Sequence, residues 1–173
     1  MSIVTVVGNP RPGSRTHGAA NSAAEAVARR IGVREAPEVV DLAVLAPLLF
    51  APETAPEVRA ALELVAGADV LVVASPTYKA TYTGLLKTFL DRLPGGALAS
   101  AVALPLLVMG DAKHSLAVEV HLRPLLVELG AVVPTPGLAL LETQLADFDA
   151  VLGPWVERVA PQVAAALGQR APA

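Results

Sequence analysis

The residues best suited to chemistry in this 173-residue chain lie in one short stretch, residues 75–84. It reads Ser-Pro-Thr-Tyr-Lys-Ala-Thr-Tyr-Thr-Gly and holds both tyrosines of the protein and one of its three lysines. Pro76 has a fixed φ and no N–H, so it should end the strand before it. The N–H groups of Thr77 to Lys79 would then be free to face a ligand, beside the flat apolar ring of Tyr78. The alternative is an ordinary strand-loop-helix crossover with incidental tyrosines.

A second polar stretch, Gly8 to His17, follows the first apolar run of the chain, Ile3 to Val7. A Gly/Pro-rich loop between a buried strand and a helix start is where α/β proteins bind phosphate, because unpaired backbone N–H groups and the helix dipole face the anion. It is not a P-loop, since Ser14 stands where that motif needs lysine. The dinucleotide fingerprint Gly-x-Gly-x-x-Gly is also missing. The stretch therefore predicts an anion loop of another type.

The pattern Ser75-Pro76-x-Tyr78, followed by Gly84-x-Leu-Lys-x-x-Leu-Asp, resembles the isoalloxazine-binding segment of NAD(P)H-dependent FMN reductases with a flavodoxin-like fold. It is most similar to the reductases that supply reduced flavin to sulfonate monooxygenases. The resemblance covers roughly residues 1–138 and includes the anion loop, which resembles the family pattern Gly-Ser-x-Arg-x-x-Ser. It implies FMN as flavin and NADPH or NADH as hydride donor.

The resemblance also implies the residues that contact the flavin. Arg11 would neutralise the 5′-phosphate, while Ser14 and Thr16 would donate their hydroxyls. Asn9 replaces the usual serine of the family but keeps a hydrogen-bonding side chain, and His17 is a further candidate for the phosphate, with an exposed first-turn residue as the alternative. The ring system would lie against Pro76, Thr77, Tyr78 and Lys79, and its pyrimidine side against Gly110 and Asp111.

Besides Asn9, three positions depart from the family pattern. Met109 and Asp111 replace a threonine and the second glycine of a Thr-Gly-Gly loop, so Asp111 places a negative charge near the flavin edge. Val120 stands where sulfonate-associated members often have an aromatic residue, and His121 beside it is interpreted as an interface or partly buried structural histidine. Lys79 would either be solvated or place its ammonium near the flavin N1 and C2=O, where Asp111 could oppose it or pair with it.

Five apolar runs alternate with helical patterns, which specifies a doubly wound parallel sheet with helices on both faces. The flavodoxin-like strand order 2-1-3-4-5 brings the loops after strands one, three and four to one edge. Residues 1–168 are predicted to form a single domain, followed by a frayed tail, 169–173. The strands are expected at Ile3–Val7, Val39–Leu42, Val70–Ala74, Ala101–Met109 and, at an edge, Ala131–Leu141; the helices at about 18–30, 56–66, 84–93, 115–129 and 148–167, the last limited in regularity by Pro154 and Pro161.

Composition narrows the classes of function. The absence of Cys excludes disulfides and thiol chemistry, and a net charge of −3 gives no basic surface for nucleic acid or membrane. Apolar residues make up 54% of the chain, and the Pro-rich segment Ala43 to Pro56 adds leucines and a phenylalanine, which we interpret as an interface or a lid over the flavin. We expect a homodimer or homotetramer. The N-terminus shows no signal or transit segment, so a cytoplasmic location is expected.

The leading hypothesis is an NAD(P)H:FMN oxidoreductase that supplies reduced flavin to a partner monooxygenase. No protein residue need act as acid, base or nucleophile, because the flavin carries the chemistry. Two alternatives stay open at this point. One is an electron-carrier flavodoxin without enzymatic activity, and the other is a quinone, azo-dye or metal-ion reductase with permanently bound FMN.

Overall fold

A five-stranded parallel sheet organises the computed structural model of the chain, which describes residues 1–169. The strand order is β2-β1-β3-β4-β5, so the predicted flavodoxin-like order is confirmed. Because this sheet buries both faces, its central strands are continuous apolar runs without alternation. The strands are β1 (Ile3–Val7), β2 (Glu38–Asp41), β3 (Val70–Pro76), β4 (Val102–Met109) and β5 (Leu138–Leu141).

The helices cover the two faces of the sheet as expected for a doubly wound protein. Two of them, α1 (Arg15–Ile31) and α6 (Phe148–Gly168), pack on one face. The other face carries α3 (Pro56–Ala66), α4 (Gly84–Leu90) and α5 (Arg123–Glu128), with the short α2 (Leu42–Leu45) beside them. The helix predicted from residue 84 packs its apolar side chains on the sheet, since Leu86, Phe89 and Leu90 of α4 are fully buried.

The largest departures from the expected elements lie between residues 110 and 141. The single helix predicted over 115–129 is divided into a π-helical turn, Val118–Leu122, and α5, because Pro124 cannot donate the N–H that a continuous helix requires. The fifth strand begins at Leu138 rather than Ala131, and only Val132 forms an isolated bridge, to Val102. The predicted edge position of β5 is confirmed.

The chain between α5 and β5 is held by Arg123 instead of by a strand ladder. Its guanidinium donates to the carbonyl oxygens of Val133 at 2.7 Å and Thr135 at 2.6 Å, and to the carboxylate of Glu119. Glu119 also accepts the N–H of Gly137 at 2.7 Å. The hydrogen bond from Arg123 is the main reason that the pKa of Glu119 lies below its usual value.

Replacing Glu119 with glutamine is expected to reduce the acid sensitivity of the fold. A carboxyl group whose pKa is lowered on folding stabilises the folded state at pH values above its usual pKa. This stabilisation is lost as the pH falls through the pKa that the group has in the folded state. Because the side chain is about one third exposed, solvent screening keeps the effect below about 1 kcal/mol. Between pH 7 and pH 4, the free energy of unfolding measured in urea should therefore fall more in the wild type than in Glu119→Gln. An equal fall in both proteins would contradict a stabilising role for the Glu119 carboxylate.

The segment Ala43 to Pro56 is anchored to the core by a few leucines and is otherwise half-buried or exposed, so its interpretation as an interface or lid stays a prediction. Leu49 is buried, and Leu45 and Leu48 pack against the same hydrophobic cluster. Arg92 fixes the segment by donating to Thr54 Oγ1 at 3.1 Å and to the carbonyl oxygen of Leu49. Only Phe50, 83% exposed, and Val44 remain as large apolar surface residues there.

The surface beside α5 carries further exposed apolar side chains, namely Leu116, Val120 and Val127. His121 in the π-helical turn is exposed, so the expectation of a partly buried histidine is wrong and the interface interpretation stays a prediction. The homodimer or homotetramer likewise stays a prediction, which a mass of two or four times 17.7 kDa in light scattering would support and a monomer mass would refute.

The closing helix α6 runs without interruption through Pro154 and Pro161, contrary to the expected irregularity. Both prolines lie on the exposed side of the helix, where the carbonyl oxygens that lose a partner can face water. The described residues, 1–169, contain one five-stranded sheet. Most of the predicted tail, 169–173, lies outside the described residues. Within residues 1–169, no helix has the length and apolarity needed to span a membrane.

Candidate flavin site

The anion loop and the stretch after β3 meet at one cavity, which we call the anion-loop cavity. It has a volume of about 280 Å³ and lies at the carboxyl ends of β1, β3 and β4, with the residue after β5 completing the wall. Six of the predicted site residues line it, together with four that were not predicted. The lining is Asn9, Arg11, Pro12, Ser14, Arg15, Thr16, Pro76, Tyr78, Val108 and Glu142.

The anion loop is shaped by hydrogen bonds among its own polar side chains. Asn9 accepts the N–H of Arg11 at 3.0 Å and donates from its amide to Thr16 Oγ1 at 3.1 Å. Ser14 caps α1, since its Oγ accepts the N–H of His17 at 3.2 Å. This cap explains why α1 begins at Arg15, three residues before the predicted start. Thr16 Oγ1 only accepts in its bond to Asn9, so its O–H proton is available to a ligand.

A carboxylate from the neighbouring strand holds the loop from outside the cavity. Asp41, the last residue of β2, accepts the N–H of Gly13 at 3.2 Å and that of Ala43 at 3.1 Å. Gly13 has φ +58°, a conformation that costs glycine little. His17 lies with Nδ1 3.7 Å from Asp41 Oδ2 and does not line the cavity. The structure therefore places His17 behind the loop.

Two arginines line the anion-loop cavity, and they differ in their partners. Arg15 donates to Glu142 Oε2 at 3.0 Å. Arg11 is exposed and forms no salt bridge within the described residues, so its charge is available to an anion. Glu142 escaped sequence analysis because it lies 127 positions from its partner, in a segment with no motif.

The 75–83 segment is tied to the anion loop through Thr83. Its hydroxyl donates to the carbonyl oxygen of Gly8 at 2.5 Å and accepts the N–H of Leu86 at 3.1 Å, which caps α4. The N–H of Thr83 donates to Ser75 Oγ at 3.0 Å. Gly8 is also required by packing, since an added Cβ would lie 2.6 Å from the Cβ of Leu86. One buried threonine thus links the ends of β1 and β3 to α4.

The predicted free N–H groups after Pro76 are not free at two of three positions. The N–H of Thr77 donates to the carbonyl oxygen of Val108 at 2.7 Å, because Pro76 continues the ladder with β4 instead of ending it. The N–H of Tyr78 donates to the carbonyl oxygen of Thr81 at 2.9 Å, and that of Thr81 donates back at 3.3 Å. A tight two-residue turn results.

Lys79 and Ala80 form this turn with φ of 51° and 68°, which few residues other than glycine adopt. The turn places Tyr78 at the cavity wall with 45% of its surface exposed. Thr77 Oγ1 is buried and has no hydrogen-bond partner within the described residues. A buried hydroxyl of this kind costs free energy unless something pairs with it. Tyr82 instead packs against the hydrophobic core.

The loop after β4 contributes less than expected to the anion-loop cavity. Val108 lines the cavity, whereas Gly110 and Asp111 do not. Asp111 caps the following turn by accepting the N–H of Lys113 at 2.9 Å, and it pairs with the Lys113 ammonium at 2.9 Å. The backbone hydrogen bond from Lys113 is the main cause that lowers the pKa of Asp111. The carboxylate of Asp111 is therefore paired with Lys113. Among the described residues it forms no hydrogen bond or salt bridge with Lys79.

The donor set of the anion-loop cavity fits a phosphate monoester attached to an aromatic ring system. One end offers an unpaired guanidinium, two hydroxyls and the start of a 17-residue helix. The other end offers the tyrosine ring and the apolar Pro76 and Val108. No group of three or more His, Asp or Glu side chains that could hold a metal ion occurs within residues 1–169.

Comparison with known proteins gives a consistent family. Residues 1–146 match the family model described as NADPH-dependent FMN reductase. A relative from Escherichia coli (strain K12), named FMN reductase (NADPH), is 37% identical over 150 residues, which is 86% of this chain and 77% of the relative. A solved oxidoreductase from Corynebacterium diphtheriae superimposes with a TM-score of 0.83 at 31% identity and covers 99% of both chains. The apo form of an NADH:FMN oxidoreductase (EmoB) does so with 0.76 at 32% identity, over 92% of this chain and 88% of that one.

Proposed function

Because this chain belongs to the NADPH-dependent FMN reductase family, we propose that it reduces FMN with NAD(P)H at the anion-loop cavity and passes reduced flavin to a partner monooxygenase. When bound, FMN supplies the hydride-accepting chemistry, and the protein supplies position and electrostatics. The observation that carries the proposal is that Arg11 and Tyr78, far apart in the chain, line one cavity.

The residues of the anion loop would hold the FMN phosphate. Arg11 offers a charged donor, while Ser14 and Thr16 offer hydroxyl groups beside the first turn of α1. Asn9 would act mainly by orienting Thr16 and the backbone of Arg11, to which it is bonded. His17 would act through Asp41, behind the loop, rather than by touching phosphate.

The ring system would lie beside Pro76 and Tyr78, the two residues of the 75–84 stretch that line the cavity. Thr77 would pair its buried Oγ1 with the ligand, since this oxygen has no partner within the described residues. Of the N–H groups of Thr77, Tyr78 and Lys79, that of Lys79 remains for a backbone contact, because the other two are bonded. Gly110 and Asp111 stay candidates for the pyrimidine side, although neither of them lines the anion-loop cavity.

The proposed reaction is tested by a visible spectrum of the purified protein, followed by NADH and NADPH oxidation with and without added FMN. Turnover that rises and saturates with FMN would support a reductase that releases its product. Transfer of reduced flavin to a monooxygenase is tested separately, in an assay that couples the two enzymes. The reductase, FMN and NAD(P)H should then sustain turnover of the monooxygenase without any other reductant. No oxidation of either nucleotide at any FMN concentration would refute the proposal and favour an electron carrier.

Lys79→Met is expected to slow flavin reduction while leaving the binding of oxidised FMN nearly unchanged. The left-handed turn presents Lys79 next to Tyr78, and its ammonium has no salt bridge within the described residues. A fixed cation near N1 and C2=O stabilises the negative charge that develops as hydride arrives. Stopped-flow reduction by NADH under anaerobic conditions measures the rate, with Lys87→Met in α4 as the control. If both variants reduce flavin at the wild-type rate, Lys79 is a solvated turn residue.

A further inference from the structure

The anion-loop cavity contains a carboxylate that the proposed reaction does not explain. Of the described residues that line this cavity, Glu142 alone is acidic, and it faces the same space as the two arginines, Arg11 and Arg15. A phosphate monoester carries a charge of about −1.5 to −2 at neutral pH. A site selected only for tight binding of phosphate would not place a carboxylate beside it.

The fold fixes the backbone of Glu142 at the cavity and leaves its side chain free to move. The β4–β5 ladder ends at the pair Met109 and Leu141, so Glu142 is the first residue beyond it, at the carboxyl edge of the sheet. The N–H of Leu141 donates to Gln144 Oε1 at 2.8 Å, which secures the 3-10 helix that begins at Glu142. Arg15 meets the carboxylate from the first position of α1. The side chain of Glu142 is nevertheless 48% exposed.

A phosphate in the anion loop leaves Glu142 two arrangements, and each of them weakens binding. If Arg15 stays with Glu142, at 3.0 Å, the phosphate has Arg11 but loses the second cation. If Arg15 turns to the phosphate, Glu142 loses its partner and stands as a free carboxylate in a cavity of about 280 Å³. Like charges at such short range repel each other. The exchange between the two arrangements is easy, because an exposed ion pair is weak.

From this geometry we infer that Glu142 keeps the flavin exchangeable, by competing with the flavin phosphate for Arg15 and by repelling the phosphate when Arg15 turns to it. The inference rests on the proposed placement of the FMN phosphate in the anion loop and deepens that proposal. A reductase that passes flavin to a second enzyme has to release it, and Glu142 sets how fast the release occurs. It acts at the phosphate end and takes no part in hydride transfer.

Glu142→Gln tests the inference, because glutamine keeps the size of the side chain and removes its charge. The dissociation constant of FMN should fall roughly three- to tenfold, as expected for one partly screened charge. Most of the change should lie in the dissociation rate, measured by stopped-flow flavin fluorescence. Riboflavin has no phosphate, so its dissociation constant should stay within about twofold of the wild-type value. At about 1 M salt, where the screening length is about 3 Å, the gain for FMN should shrink.

Two further variants separate this role from simple anchoring of Arg15. If Glu142 only holds Arg15 in place, Glu142→Gln should bind FMN as the wild type does or more weakly, and that result overturns the inference. Glu142→Ala leaves Arg15 without an acceptor at this position, so it should tighten FMN binding at least as much as glutamine does. Glu25→Gln is the matched control, since Glu25 pairs with Arg29 on the same helix at 3.8 Å and neither residue lines the cavity. An equal gain in Glu25→Gln would also overturn the inference.

Arg11→Ala, measured in parallel, tells failure of this inference from failure of the flavin placement. If Arg11→Ala weakens FMN but not riboflavin, and Glu142→Gln leaves FMN unchanged, the phosphate lies in the anion loop and the inference about Glu142 is wrong. If neither variant distinguishes FMN from riboflavin, the phosphate lies elsewhere, and both the placement and the inference are wrong.

Discussion

Arg11→Ala is expected to weaken FMN binding by about 1–3 kcal/mol, the range for losing a charge-assisted hydrogen bond. Since 1.4 kcal/mol corresponds to about a tenfold change, the dissociation constant should rise by roughly one to two orders of magnitude. Arg11 is exposed and lines the anion-loop cavity without a salt bridge in the described part of the chain. The fold should therefore be unaffected, and thermal unfolding of the variant without flavin should match the wild type.

Two controls separate a phosphate contact from a general loss of charge. Arg59→Ala removes an exposed arginine from α3 and should leave FMN affinity within twofold. Riboflavin lacks the phosphate, so the wild type and Arg11→Ala should bind it equally. If the variant loses as much affinity for riboflavin as for FMN, Arg11 does not hold the phosphate.

Thr83→Val is expected to destabilise the fold by about 2–4 kcal/mol, more than any surface substitution. The hydroxyl caps α4, and losing such a cap costs about 0.5–2 kcal/mol. It also donates to the carbonyl oxygen of Gly8, and an unsatisfied buried acceptor costs about 1–3 kcal/mol. The methyl group of valine fills the space of the hydroxyl but restores neither bond. Urea unfolding measures the loss.

Thr88→Val, one turn further along α4, is the control for Thr83. The hydroxyl of Thr88 donates only to the carbonyl oxygen of Gly84 within its own helix, near solvent, so its loss should cost less than about 0.5 kcal/mol. Equal destabilisation of the two variants would show that helix propensity, not the link to Gly8, sets the effect. Weaker FMN binding by Thr83→Val alone would show that the link also positions the anion loop.

The sheet was predictable because its strands are short apolar runs bounded by Gly and Pro. β1 and α3 match their predicted ranges, and the parallel order follows from the alternation of strands and helices. The two principal loops of the site were predictable for the same reason, since each follows a buried strand at the carboxyl edge of the sheet. The topology thus predicted that the loops carrying Arg11 and Tyr78 lie at one edge of the sheet, and both residues line one cavity there.

The features that sequence analysis missed depend on partners far away in the chain. Whether the N–H of Thr77 is free is decided by the carbonyl oxygen of Val108, which only the register of β3 with β4 brings close. Glu142 and Asp41 reach the anion loop from the ends of other strands. The start of β5 was misplaced because an apolar run with two prolines looks the same whether a strand or Arg123 holds it.

The parallel pairing of the sheet also determines the order in which the site can be assembled. No two neighbouring strands here can be joined by a tight hairpin, because all four described ladders are parallel. The first residue of the anion loop, Gly8, is fixed to β3 by its N–H, which donates to the carbonyl oxygen of Ala74 at 2.7 Å. A nascent chain that ends at β2 therefore contains every residue of the anion loop but neither Ala74 nor Thr83. Contacts between residues so far apart in sequence make folding slow, so the anion loop is synthesised first and its structure is completed only after β3 and α4 have been made.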